Sequence, residues 1–203
     1  MRNEAEDTHN EVGESILDAA GKLFEQYGYR KTTIEEIAQE ARIGKGTVYL
    51  HFKSKEDVGI CWLRKLHLHI MGDLDRIAGS DLPATERLRS ALIERVMLRV
   101  DVFARHQKSI DEAMANLRDL IQERKDAVYK AEADMFEAII CDGIAKGECQ
   151  IEDPRAAAES MVIATNSLSP YNLRPTQLGN RECVLSKVQA LANLLVRAIE
   201  VKK

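Results

Sequence analysis

Apolar residues recur at spacings of three and four along nearly all of this 203-residue chain, the period of an amphipathic helix, and no stretch alternates like a strand. Val12, Ile16, Ala20, Leu23, Phe24 and Tyr27 trace a first helix, which Gly28 stops. A polar, acidic arm over residues 1–10 precedes it. Ile34, Ile37, Ala38 and Ala41 form a second, short stripe. The pattern breaks at Arg42-Ile43-Gly44, where glycine permits a sharp change of direction, and resumes with Val48, Tyr49 and Phe52. Ser54 and Asp57 open a fourth helix through Val58, Trp62, Leu66, His69 and Ile70 that ends near Gly79-Ser80. Beyond Pro83, Leu88, Leu92, Val96, Arg99 and Phe103 mark a fifth helix, and Ile110, Ala113, Met114 and Leu117 a short sixth. A seventh runs from about Asp119 to Lys146. Asp153 as N-cap and Pro154 as first helical residue start an eighth, which ends near Ser169-Pro170. A loop with two prolines then leads to Asn180, which caps the last helix. That helix is apolar on more than one face, from Val184 to Ile199, and so calls for cover on both sides. The pattern predicts an all-α chain: a three-helix N-terminal domain over residues 11–55 and a larger helical domain over 56–203.

The stretch Thr32 to Phe52 carries the most specific signal. Thr33 with Glu36 three residues on is a capping box, Ile43 plugs the turn, and two short helices around a tight turn make a helix-turn-helix over 33–52. This leaves Lys45, Gly46, Thr47, Tyr49 and His51 at the front and along the outer face of the second helix. Such a set suits DNA: a lysine and helix N–H groups for phosphate or a guanine edge, a threonine for a base edge, and tyrosine and histidine as neutral donors to phosphate. A structural helical hairpin would share the two stripes.

The run TTIEEIAQEARIGKGTVYLHFKSKEDV resembles the TetR family of bacterial transcriptional regulators, whose pattern is T-x-x-x-I-A-x-x-A-G-V-S-x-G-T-x-Y-x-H-F-x-S-K-E. Matches fall at Thr33, Ile37, Ala38, Ala41, Gly46, Thr47, Tyr49, His51, Phe52, Ser54, Lys55 and Glu56. Arg42 stands where the family has glycine, and Gly44 where it has a capping serine; glycine is a tolerable N-cap, a few tenths of a kcal/mol worse than serine. Arg42 can supply a charge in place of the lost hydroxyl contact. The resemblance implies DNA contacts from Thr33, Arg42, Lys45, Gly46, Thr47, Tyr49, His51 and Lys55. It also implies a homodimeric repressor on a palindromic operator, with recognition helices set to half-sites ~34–36 Å apart per DNA turn. A largely apolar small-molecule effector in the C-terminal domain is implied as well. Trp62, Leu66, Arg99, Phe103, Tyr129 and Phe136, with Met114 and Met135 beside them, lie on helices that surround the effector pocket in similar regulators. Dimerisation through the last two long helices implies Met161, Val188, Leu191 and Leu195 at the interface. A C-terminal bundle that serves as a protein-interaction module without a small ligand is the alternative.

The net charge of −4 and pI near 5.8 argue against a nucleic-acid binder only until charge is located. From Lys22 to Lys55 seven bases face four acids, so a basic patch sits at one end. The first ten residues lack the apolar core of a signal peptide, and no stretch approaches the ~20 apolar residues of a membrane span; a cytoplasmic protein is expected. Cys61, Cys141, Cys149 and Cys183 lack C-x-x-C spacing, which points to free thiols. The IGKGT run is not a phosphate loop, since Gln39 and Glu40 stand before it and Gly46 follows the lysine. His67 and His69 near Cys61 lie two apart, a poor spacing for helical metal ligands, and no catalytic constellation stands out; neither an enzyme nor a cofactor or metal is expected. Arg99, amid Val96, Val100 and Phe103, requires an acidic partner or a ligand carboxylate if buried, and Glu94 or Asp101 if it lies along the helix surface.

Overall fold

The computed structural model describes residues 4–170 and 180–201, the side chains of 4–9 and 124–125 excepted. Most of the expected two-proline loop lies outside the described residues. The elements are α1 (Glu4–Tyr27), α2 (Ile34–Glu40), α3 (Lys45–His51), α4 (Lys55–Ala78), α5 (Ala84–Asn116), α6 (Arg118–Ala145), α7 (Pro154–Asn166) and α8 (Arg181–Arg197). One expectation needs correction. The helix behind the supposed arm begins at Glu4, for no proline or glycine interrupts the backbone before Val12. The expected fifth and sixth helices are both present: the span labelled α5 is two helices run together across a kink at His106, whose backbone (φ −117°, ψ 20°) is not helical. The polar run Arg105 to Lys108 breaks the apolar stripe at the same place.

The chain divides into two compact units: the part up to His67 together with His106–Glu123, and Leu68–Arg105 together with the chain from Arg124 onward. The first unit is therefore larger than residues 11–55, adding the start of α4 and the distal part of α5. Its core is built on Ile16, Ala20 and Phe24 of α1, Ile37 of α2, Val48 of α3 and Val58 of α4, all fully buried. Phe24 meets Trp62 edge-on at 5.3 Å between ring centroids. Gly21 permits this approach, since a Cβ there would lie 2.8 Å from the indole Nε1. Distal α5 closes the unit with Ile110 and Ala113, followed by Leu117 just past its end, and Ser109 Oγ donates to the Phe24 carbonyl at 2.7 Å.

In the second unit Leu88, Leu92 and Val96 of α5, Phe136 and Ile140 of α6, and Val188, Ala192 and Val196 of α8 are buried. Asp153 caps α7 by accepting from Ala156 N at 2.9 Å, and Asn180 caps α8 by accepting from Cys183 N at 2.8 Å, both as the sequence indicates. A short antiparallel bridge pairs Cys149 with Glu200, with Gln150 N donating to Ile199 O at 2.7 Å. The four cysteines are free thiols, and none of the described helices is long and apolar enough to cross a membrane.

Candidate nucleic-acid interface

The geometry of residues 28–52 follows from local chemistry. Gly28, at φ +88°, ends α1 in the left-handed region that favours glycine. At the start of α2 the Thr33 hydroxyl accepts from Glu36 N at 3.2 Å and the Glu36 carboxylate accepts from Thr33 N at 2.8 Å, the reciprocal capping box. At the end of α2, Arg42 N donates to Gln39 O (3.1 Å) and Ile43 N to Ala38 O (3.0 Å), the two bonds of a Schellman cap. The left-handed position of that cap is occupied by Arg42, at φ 57°. Holding a side chain there costs ~1 kcal/mol relative to glycine. Gly44 then caps α3 with extended backbone (φ −74°, ψ 147°) and no side-chain hydrogen bond.

On α3, Val48 is buried against the first unit's core, while Lys45 and Gly46 are exposed and Thr47 half-exposed; Tyr49 is 48% exposed. Nothing lies within 4 Å of a Cβ built at Gly46, so its bareness is not required by any neighbour in the chain. The Lys45 ammonium pairs with the Glu35 carboxylate and lies 5.9 Å from the Tyr49 ring centroid. The Glu35 hydrogen bond holds the lysine above its ordinary pKa and the carboxyl below its own.

Three sequence candidates sit differently from expectation. Lys55 does not reach outward: its Nζ donates to the carbonyls of Tyr29 (3.0 Å), Arg30 (3.2 Å) and Thr32 (3.0 Å), which uses its three N–H donors. His51 is half-buried, packs on Phe52 with centroids 6.3 Å apart, and faces α1, where its Nδ1 would lie 3.5 Å from a Cβ on Gly13. The Thr33 hydroxyl is engaged in the capping box. One residue is missing from the sequence list: Leu50, at 77% exposure the most open large apolar side chain on α3. The signal for it is its position two residues after Val48 and two before Phe52, off the buried stripe of a helix that presents its other face to solvent.

The effector candidates do not share one unit. Trp62 and Leu66 belong to the first, with Trp62 packed between Phe24 and the edge of His106. Phe103, Tyr129 and Phe136 belong to the second, and so does Arg99, whose partner is neither Glu94 nor Asp101. Its guanidinium is buried and paired with Glu132, and it donates to Arg95 O at 2.5 Å. Glu132 also accepts from Arg95 Nε at 3.0 Å and from its second terminal nitrogen at 2.6 Å; Arg95 donates further to Thr165 Oγ1 and Asn166 Oδ1, each at 2.7 Å. Burial lowers the Arg95 pKa most, and Glu132 opposes the shift. Two clefts of about 590 and 910 Å³ are lined by Asn10, Asp18 and Arg42 in one case and by Gln150, Arg197 and Val201 in the other, not by these candidates.

Two of the dimer candidates are corrected by burial within the chain itself. Met161 is enclosed, and Val188 packs with Val96, Met97 and Val184, so neither has a face left for a partner. The exposed large apolar residues of α7 and α8 are Ile163 (70%) and Leu194 (68%), with Leu191 and Leu195 half-exposed.

A capped helix-turn-helix in a segment, Lys22 to Lys55, that carries seven bases against four acids is the arrangement of a DNA-binding regulator. Residues 16–58 match the family model described as bacterial regulatory proteins, tetR family. Over 150 residues the chain is 31% identical to the uncharacterized HTH-type transcriptional regulator YhgD of Bacillus subtilis, covering 72% of this chain and 76% of that one. It is 29% identical to the HTH-type transcriptional repressor KstR2 of Rhodococcus jostii, over 73% of this chain and 76% of that protein. Among solved structures, that of SmeT in complex with triclosan superposes with a TM-score of 0.67 at 24% identity, covering 94% of this chain and 92% of that one. The chain belongs to the TetR family of bacterial regulatory proteins.

Proposed function

We propose that this regulator is a homodimeric repressor that lays α3 in the major groove of a palindromic operator in the cytoplasm and leaves it when a small molecule binds the C-terminal domain, residues 56–203. The observation that carries the DNA reading is Gly46, exposed and without a neighbour on a helix flanked by Lys45, Thr47 and Tyr49; a bare backbone there lets a phosphate or base edge come close. Arg42, Lys45 and Tyr49 supply phosphate contacts, Thr47 reads a base edge, and Leu50 meets a thymine methyl. Lys55, Thr33 and His51 shape the headpiece.

Dimerisation uses Ile163 of α7 and Leu191, Leu194 and Leu195 of α8, apolar side chains that the chain leaves uncovered or half-covered. The effector is largely apolar, as triclosan is in the SmeT complex, and contacts Phe103, Tyr129 and Phe136 of the second unit. Two arginines, Arg95 and Arg99, share the single carboxylate of Glu132, and this excess of one positive charge supports an effector with an anionic or strongly accepting group.

The test is selection of duplexes from a random pool by wild-type protein, followed by anisotropy across a salt series. A palindromic consensus bound by a dimer with a steep salt slope is expected. Selection of no consensus, or binding of one monomer to an asymmetric site, would overturn the proposal.

A further inference from the structure

The turn from Gly28 to Thr33 launches the helix-turn-helix, and two oppositely charged side chains from outside the motif grip it. Glu112, on distal α5, lays its carboxylate against Gly28: a Cβ there would lie 2.5 and 2.7 Å from its two oxygens. Its Oε2 accepts from Arg30 N at 3.1 Å. From the opposite sign of charge, Lys55 at the start of α4 donates to the carbonyls of Tyr29, Arg30 and Thr32 at 3.0, 3.2 and 3.0 Å, and its Nζ lies 4.7 Å from the Tyr29 ring centroid. Both peptide groups of Arg30, its N–H and its C=O, are therefore held by charged groups on two different helices. Burial, then Glu56, pushes the Tyr29 phenol up to about 12, so the ring beneath Lys55 stays neutral. The turn's own bonds are fewer: Thr32 Oγ1 donates to Gly28 O at 2.9 Å, and Thr32 N reaches the same carbonyl at 3.4 Å.

We propose that Glu112 and Lys55 are positioning residues for operator binding: together they fix the turn, and through it the orientation of α2 and α3, while neither touches DNA. The physical reason is that the turn's outward carbonyls and N–H are satisfied by charge-assisted bonds, roughly twice as strong as neutral ones, made to helices that α2 and α3 do not contain. Releasing either grip leaves the entry angle of the recognition helix to a glycine, the most permissive residue for backbone rotation. The inference rests on the reading of α3 as the DNA-contacting helix.

The experiment measures binding of a duplex selected by the wild-type protein, and of an unrelated duplex, by anisotropy at several salt concentrations, with circular dichroism confirming that each variant is folded. Glu112→Ala is expected to weaken the selected duplex about tenfold, the loss of one charged hydrogen bond, and Lys55→Met, which loses three, by at least as much, each with the salt slope unchanged. Glu112→Gln is expected to recover most of that loss, because its amide oxygen still accepts from Arg30 N. Gly46→Glu serves as the control for α3 and should abolish binding. Wild-type affinity in Glu112→Ala while Gly46→Glu is inactive would overturn this inference alone. A salt slope lowered by about one in Lys55→Met would overturn it by placing Lys55 on a phosphate, and a Glu112→Gln variant as weak as Glu112→Ala would do so by removing the hydrogen bond from the argument. Normal binding by Gly46→Glu would overturn the reading of α3 and this inference together.

Discussion

Gly46→Ala separates what α3 does for the fold from what it does for DNA. The substitution adds one methyl group at an exposed helical position where, beyond the adjoining residues and the helix's own backbone, no atom of the chain lies within 4 Å, so nothing internal must move. Alanine is the better helix former by about 0.8–1.0 kcal/mol in a helix interior, less near a terminus, and Gly46 is the second residue of α3. A gain of about 0.5 kcal/mol raises the melting temperature by about 1–2 °C in a chain of this size. Against DNA the methyl stands where backbone or phosphate is to approach, and separating one close contact costs about 1–2 kcal/mol, a five- to thirty-fold loss of affinity. Thermal melts without DNA and anisotropy with a selected duplex read the two effects separately. Since the internal effect is favourable, weaker binding by a more stable protein can come only from the interface. Undiminished affinity would refute the claim that α3 approaches DNA at Gly46, and a lowered melting temperature would refute the open surroundings on which the estimate rests.

Arg42→Gly should raise stability by about 1 kcal/mol by relieving the left-handed backbone, while reducing both operator affinity and the salt slope by one phosphate contact; melts and a salt series check both. Leu194→Glu, and separately Ile163→Glu, should give folded monomers that no longer bind a palindromic duplex, as sedimentation velocity would report, because each puts a charge into an apolar contact. Decanoate should raise the melting temperature of the wild type more than decanamide or decylamine, and Arg99→Met should erase that order; an unchanged order in the variant would leave the buried ion cluster a purely structural device.

The helices were legible because their ends are written in single residues: Gly28, Thr33, Asp153, Pro154 and Asn180 each act where the sequence places them. The end of the fifth stripe is borne out by the non-helical backbone at His106, within the polar run that divides it from the sixth. The departure lies at the start of α1, which reaches into the polar residues before Val12 because polarity alone does not stop a helix. The expected cover for α8 came partly from α5, since Val188 meets Val96 and Met97 across a separation of some ninety residues that no local pattern reveals. A separation of 33 residues likewise hid Glu132 from Arg99: the sequence shows that a buried arginine needs an acid, and only the fold shows which acid and that a second arginine shares it.

The motif itself mixes two kinds of residue that a sequence match cannot separate. Lys55, His51 and Thr33 match the family pattern, yet their polar groups face the chain's own backbone and helices, and local rules are obeyed at each. Arg42, Gly46 and Leu50 break local rules: a side chain in the left-handed region, a glycine inside a helix, and a leucine left in solvent. Each departure costs the free protein stability, and all three cluster within nine residues on and beside one short helix. Proteins tolerate such departures where something outside the chain repays them. The residues that conform hold the helix-turn-helix in place, and those that do not are the ones to test first against DNA.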